Sequence, residues 1–224
     1  MHSLYNRVAG QSVERLAALS DGIFAVAMTL LVLDLRVPAA AAIHSEHDLR
    51  RVLIALSPRL LIYFMSIMTN GIFWVGQQTQ LNFFARSDRN LAWIHIGFLG
   101  VVSLTPFSTA FLAEFIHYRT ALLVYWSNIL LLGLFLFWSW SYATRTRLLV
   151  DDAPIEVHRA VVRRILIAQS LYAAGAALCV INTYCSIAAI VLVQINYAIA
   201  PRFCWGLFSR NSQEREERKN QHVQ

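Results

Sequence analysis

Polar residues cut this chain into six apolar runs, each long enough for a helix that crosses a bilayer. The runs cover residues 15–38, 60–76, 91–113, 120–143 and 165–181, with the sixth ending near Pro201. Only a turn around Asn182 separates the last two, so they should form a tight antiparallel hairpin. The pattern predicts an all-α, polytopic membrane protein with six transmembrane helices. It divides into a short start over 1–14, a helical unit over 15–204 and a charged tail over 205–224.

The first run is unusual in carrying Ser20, Asp21 and Gly22 near its start and Thr29 in its middle. An ionisable group in hydrocarbon costs several kcal/mol unless it is paired or faces water, so this run is expected to form a pathway rather than a plain anchor. At about 100° per residue, Leu19, Gly22, Val26, Leu30 and Leu33 fall within one narrow stripe. Thr29 lies on its edge, and Asp21 points away toward neighbouring helices. Periodicity alone more often marks ordinary helix packing than a pore. Arg15 falls near the same stripe, where its charge would repel cations, so it is expected to turn aside to Asp21, Asn70 or His95 in a polar network that also holds Ser20.

Elsewhere, Asn70 in the second run can hydrogen-bond across helices, a contact worth about 0.6 kcal/mol in lipid. Pro106 predicts a kink in the third run, next to hydroxyls that can satisfy the backbone group it frees. The fourth run has no charge and carries Trp126, Trp138 and Trp140 toward its ends, as a lipid-facing helix with an aromatic belt would. Gly175 favours close packing in the fifth. The connection holding His44, Glu46 and His47 reads as a solvated loop rather than a metal site.

With 57% hydrophobic and 14% charged residues and a mean hydropathy of +0.50, composition agrees with a membrane protein. Most of the 19 basic residues fall on one side if the termini share a side with the second and fourth connections. By the positive-inside rule both termini are then cytoplasmic, at a bacterial inner membrane. The net charge of +6 is thus a matter of topology, and no groove-reading or stacking element points to nucleic acid. Cys179, Cys185 and Cys204 lack metal or disulfide spacing, and no HExxH, Walker A, GxSxG or GxGxxG motif appears, so neither an enzyme nor a cofactor is indicated. There is no TVGYG-like filter either.

Arg15, Ser20-Asp21-Gly22, Ala25-Val26-Ala27, Thr29-Leu30-Leu31 and the exit Asp34-Leu35-Arg36-Val37-Pro38 resemble the first-helix signature of bacterial members of the endolysosomal potassium channel family, the transmembrane protein 175 family. Phe73-Trp74, Pro106-Phe107 with Thr109 and Glu114, and the basic stretch from His158 to Arg164 extend the resemblance over most of the chain. Departures are Leu19 where Phe is usual, Val26 where a larger aliphatic residue is usual, and Gln77-Gln78 where His residues commonly follow the Trp. The resemblance implies a homotetramer in the lipid bilayer whose first helices line a central pore for potassium ions. It places the constriction at Val26, Leu30 and Leu33 and ion preference at Thr29. The alternatives are a proton channel or an ion-coupled secondary transporter.

Overall fold

The computed structural model describes residues 12–37, 43–150 and 155–199. The expected tail over 205–224, Cys204, the expected end of the sixth run near Pro201 and the segment before Ser12 lie outside the described residues. Helix α1 (Val13–Leu31) runs into a 3-10 turn, Val32–Asp34. There follow α2 (Glu46–Ala55), α3 (Ser57–Leu81), α4 (Arg89–Ser103), α5 (Thr105–Glu114), α6 (Arg119–Arg145), α7 (Ile155–Ala177) and α8 (Thr183–Ile199). No strand occurs among the described residues, and one isolated bridge joins Phe84 to Leu149.

Five segments are long and apolar enough to cross a membrane: Val13–Asp34, Ser57–Leu81, Arg89–Glu114, Arg119–Arg145 and Glu156–Val180. The sixth, α8, has 17 residues, the lower end of the spanning range. Helix starts are set by local chemistry. Ser12 accepts from the backbone N–H of Arg15 at 3.2 Å, and Asp88 from that of Leu91 at 2.8 Å, each satisfying an orphan donor of a first turn. Pro58 occupies the first turn of α3, where its missing N–H is not needed.

Several boundaries differ from expectation. The stretch expected as a loop around Glu46 is helix α2, capped by the Ser45 hydroxyl accepting from Asp48 N–H at 3.2 Å. Helix α3 continues past Gly76 through polar Gln77–Leu81, and α7 begins ten residues before the apolar run does. In both cases polar or basic side chains interrupt the hydropathy without interrupting the helix. The break expected at Pro106 falls at Leu104, between α4 and α5. The proline cannot donate to the preceding turn, and Ser103 donates its hydroxyl back to the Gly100 carbonyl at 2.8 Å.

Helix α6 is also not a plain lipid-facing helix. Tyr125, Ile129, Leu132 and Trp140 are buried, and α6 packs against α4, α5 and α7 at the centre of the subunit. Trp140 is no belt residue, because its indole N–H donates to His158 Nδ1 at 2.9 Å inside the protein. An all-apolar surface does not distinguish lipid from protein as its partner, since hydrocarbon tails are as apolar as leucine. Helices α7 and α8 form the expected hairpin. A Cβ at Gly175 would sit 3.4 Å from Ile190, so the two helices approach at contact distance there.

Candidate ion pathway

Helix α1 has two apolar faces with different fates. Leu16, Ser20, Phe24, Ala27 and Leu31 recur every three or four residues and are buried against α3, α4 and α5. The opposite stripe faces outward from the subunit, with Val26 55%, Leu30 44% and Leu33 70% exposed. Thr29 is exposed beside them and donates its hydroxyl to the Val26 carbonyl at 2.8 Å. That bond uses the only hydrogen the hydroxyl has and leaves oxygen lone pairs to accept, the chemistry a cation needs.

The polar side chains behind this stripe separate into two groups, which corrects the expected single network. In the first, Ser20 Oγ and His95 Nε2 are 2.8 Å apart, and Gln77 Nε2 lies 2.7 Å from the serine and 2.6 Å from the histidine. Ser20 also donates to the Leu16 carbonyl at 2.7 Å. All three side chains are buried, so this layer bolts α1, α3 and α4 together. In the second group, Asp21 Oδ1 accepts from the Trp74 indole N–H at 2.7 Å and from the Gln78 amide at 2.8 Å. The two glutamines that depart from the family pattern are therefore the partners of Ser20, His95 and Asp21.

Arg15 and Asn70 stand outside both groups. Arg15 is exposed, and its guanidinium meets no hydrogen-bonding partner among the described residues. Asp21 Oδ1 accepts from neutral donors of α3 and His95 is bonded to Ser20 and Gln77, and the Arg15 guanidinium reaches neither. Asn70 is fully buried, yet neither its amide nor its carbonyl finds a partner.

A further polar layer lies nearer the other end of the subunit. Thr109 donates to Ser66 at 2.8 Å, Ser66 reaches the Tyr125 hydroxyl at 3.4 Å, Tyr125 shares a bond with Thr69 at 2.8 Å, and Gln194 donates to Thr69 at 2.7 Å. Asn128 donates to Thr105 at 3.1 Å and to Ser108 at 3.2 Å. Beyond it, Arg59 and Glu114 pair across α3 and α5. Sequence reasoning missed the Ser66–Thr69 layer. The signal was present in α3, where Ser66, Asn70, Gln77 and Gln80 recur at helical spacing and all prove buried. Among the described residues no group of His, Cys, Asp or Glu is placed to hold a metal ion.

Residues 15–106 match the family described as Endosomal/lysosomal potassium channel TMEM175. A potassium channel of Streptomyces collinus is 36% identical over 62% of this chain and 70% of its own length. Another, of Chamaesiphon minutus, is 30% identical over 83% of this chain and 93% of its own. The crystal structure of a lysosomal potassium-selective channel TMEM175 homolog from Chamaesiphon minutus superposes with a TM-score of 0.73 at 27% identity, covering 84% of this chain and 97% of that one.

Proposed function

Because this chain belongs to the TMEM175 potassium channel family, we propose that it is a potassium channel. It works as a homotetramer in the bacterial inner membrane, with both termini cytoplasmic and the first helices enclosing the pore. The observation that carries this reading is the outward stripe of Val26, Leu30 and Leu33 on a helix whose other face is fully engaged by its own subunit. A bulky apolar stripe on one helix cannot enclose a path, but the same stripe repeated about a closed rotation axis can.

In that arrangement Val26, Leu30 and Leu33 form successive apolar collars. A narrow apolar collar offers nothing to replace an ion's hydration shell, so it blocks by dewetting until it widens. Thr29, between Val26 and Leu30, supplies the one ring of oxygen acceptors within the constriction and so the modest preference for potassium. Val26 is a smaller collar than its leucine neighbours, which makes its level the less tightly closed one. Arg15 sits on the stripe at the cytoplasmic mouth, about 9 Å from Asp21 along the helix axis. Each subunit thus brings an exposed guanidinium to the entrance, while the Asp21 carboxylate is set back behind the stripe on donors of α3.

The deciding experiment is ion flux into liposomes holding the purified protein, with a valinomycin control. Potassium flux exceeding sodium flux, and rising in Leu30→Ala, supports the pore. Saturable flux that needs a counter-ion gradient would instead identify a secondary transporter, and absence of flux from vesicles shown to hold the protein would remove the channel reading.

A further inference from the structure

A cavity of about 570 Å³ lies between α3, α6 and α7, reaching Tyr197 of α8, and no part of the conduction mechanism uses it. Its walls are mostly apolar, with Phe73 from α3 and Ala168 from α7 among them. Its wall on α7 runs from Glu156 to Tyr172 with Arg164 midway, and the apolar half from Arg164 to Tyr172 is about 12 Å deep, enough for the upper part of an acyl chain. A hollow of this kind inside a bilayer is in contact with hydrocarbon, and an apolar wall gives water no partners there.

Its two ends carry the polar chemistry. At the arginine-rich end of the bundle, Arg164 is exposed beside Tyr197, and its guanidinium makes no ion pair among the described residues. The acidic wall residue, Glu156, lies eight positions earlier, about 12 Å closer to water. At the deep end the Tyr172 hydroxyl is buried beside Gln194, and the Gln169 side-chain amide oxygen is buried without a partner among the described residues.

We propose that this cavity is a binding site for an anionic phospholipid of the leaflet at the arginine end, with one acyl chain between α3 and α7 and the headgroup phosphate on Arg164. Charge complementarity favours an anionic headgroup, since a zwitterionic lipid brings the same phosphate together with a cation that offsets it at a basic mouth. The site braces α3, which carries the Trp74 and Gln78 donors to Asp21, from the side opposite the pore helix.

The test is lipid retention by the purified full chain, equilibrated in nanodiscs of equal parts dioleoyl phosphatidylglycerol and dioleoyl phosphatidylcholine, extracted and weighed by native mass spectrometry. Wild type should keep phosphatidylglycerol in preference to phosphatidylcholine. Arg164→Gln should retain about tenfold less, as loss of one charge-assisted contact implies. Arg163→Gln, which removes the same charge from a residue outside the cavity wall, should retain as much as wild type. Ala168→Trp fills the cavity and should lose the lipid. Equal retention by Arg164→Gln and Arg163→Gln would overturn the site, whether or not Ala168→Trp folds. So would equal retention of the two lipids by wild type, or a disulfide between two copies through Ala168→Cys in membranes, which would seat a second subunit there. Retention is read without any ion flux, so failure of the channel reading and failure of this one are separate results.

Discussion

The indole N–H of Trp74 donates to Asp21 Oδ1 at 2.7 Å, across 53 positions of sequence, and with Gln78 it holds the outward stripe of α1 at a fixed rotation. A neutral donor on a carboxylate fixes direction without cancelling charge. The orientation of the carboxylate, on the side of α1 away from the stripe, is thus set by α3.

Trp74→Phe keeps the ring and removes the donor. Because Trp74 is 39% exposed in the subunit, the loss should be modest, about 1 kcal/mol. A small drop in melting temperature with a larger change in potassium flux is expected. A changed melting temperature with unchanged flux would mean that the rotation of α1 does not depend on this bond.

Leu30→Ala should raise resting potassium flux, and Val26→Ile should lower it, since one widens an apolar collar and the other narrows one. Liposome flux under identical gradients checks both. Parallel changes in the two variants would show that collar width is not what limits conduction.

Ser20→Ala leaves Gln77 and His95 facing each other without the hydroxyl between α1 and the other two helices. Leaving buried groups short of a partner costs about 1–3 kcal/mol. Thermal unfolding of the purified protein should register that loss, and an unaltered transition would mean the Gln77–His95 contact alone suffices.

Asn70→Leu goes the other way. Neither polar atom of Asn70 has a partner, and exchanging such a group for an apolar one of similar size is neutral or stabilising. The melting temperature should hold or rise. A fall of several degrees would reveal a partner for Asn70, such as a trapped water or a neighbouring subunit.

Gly97→Ala tests packing between α4 and α6. A Cβ there would lie 2.6 Å from the Phe135 ring, so the ring must shift, and overpacking of this kind costs about 1–3 kcal/mol. Unfolding temperature again reports it, and a tolerated alanine would mean that Phe135 has room to rotate.

The two-faced character of α1 was legible in the sequence because a period of 3.6 residues is local information: Leu19, Val26, Leu30 and Leu33 declare a stripe on their own. Which stripe meets protein was not, since Leu16, Phe24 and Leu31 are just as apolar. The partners of Ser20 and Asp21 were illegible for a different reason. Gln77 and Gln78 lie 57 positions away, in a stretch whose polarity reads as the end of a helix rather than as the inside of a bundle. Trp140 misled similarly, because an indole near a helix end suits an interface as well as it suits a buried hydrogen bond. Arg15 was rightly seen as troublesome on its stripe, but its guanidinium reaches none of the partners assigned to it: Asp21 and His95 bond uncharged groups, and Asn70 is buried without a partner.

The break at Leu104 has a mechanical consequence. The Gln77–His95 layer hangs on α4, and the Ser66–Thr109 layer hangs on α5. A continuous helix would carry any twist of one storey directly into the next. The joint at Leu104 relieves that coupling along α4 and α5, so the twist that passes between the storeys is carried by α3, which holds Gln77 in one and Ser66 in the other.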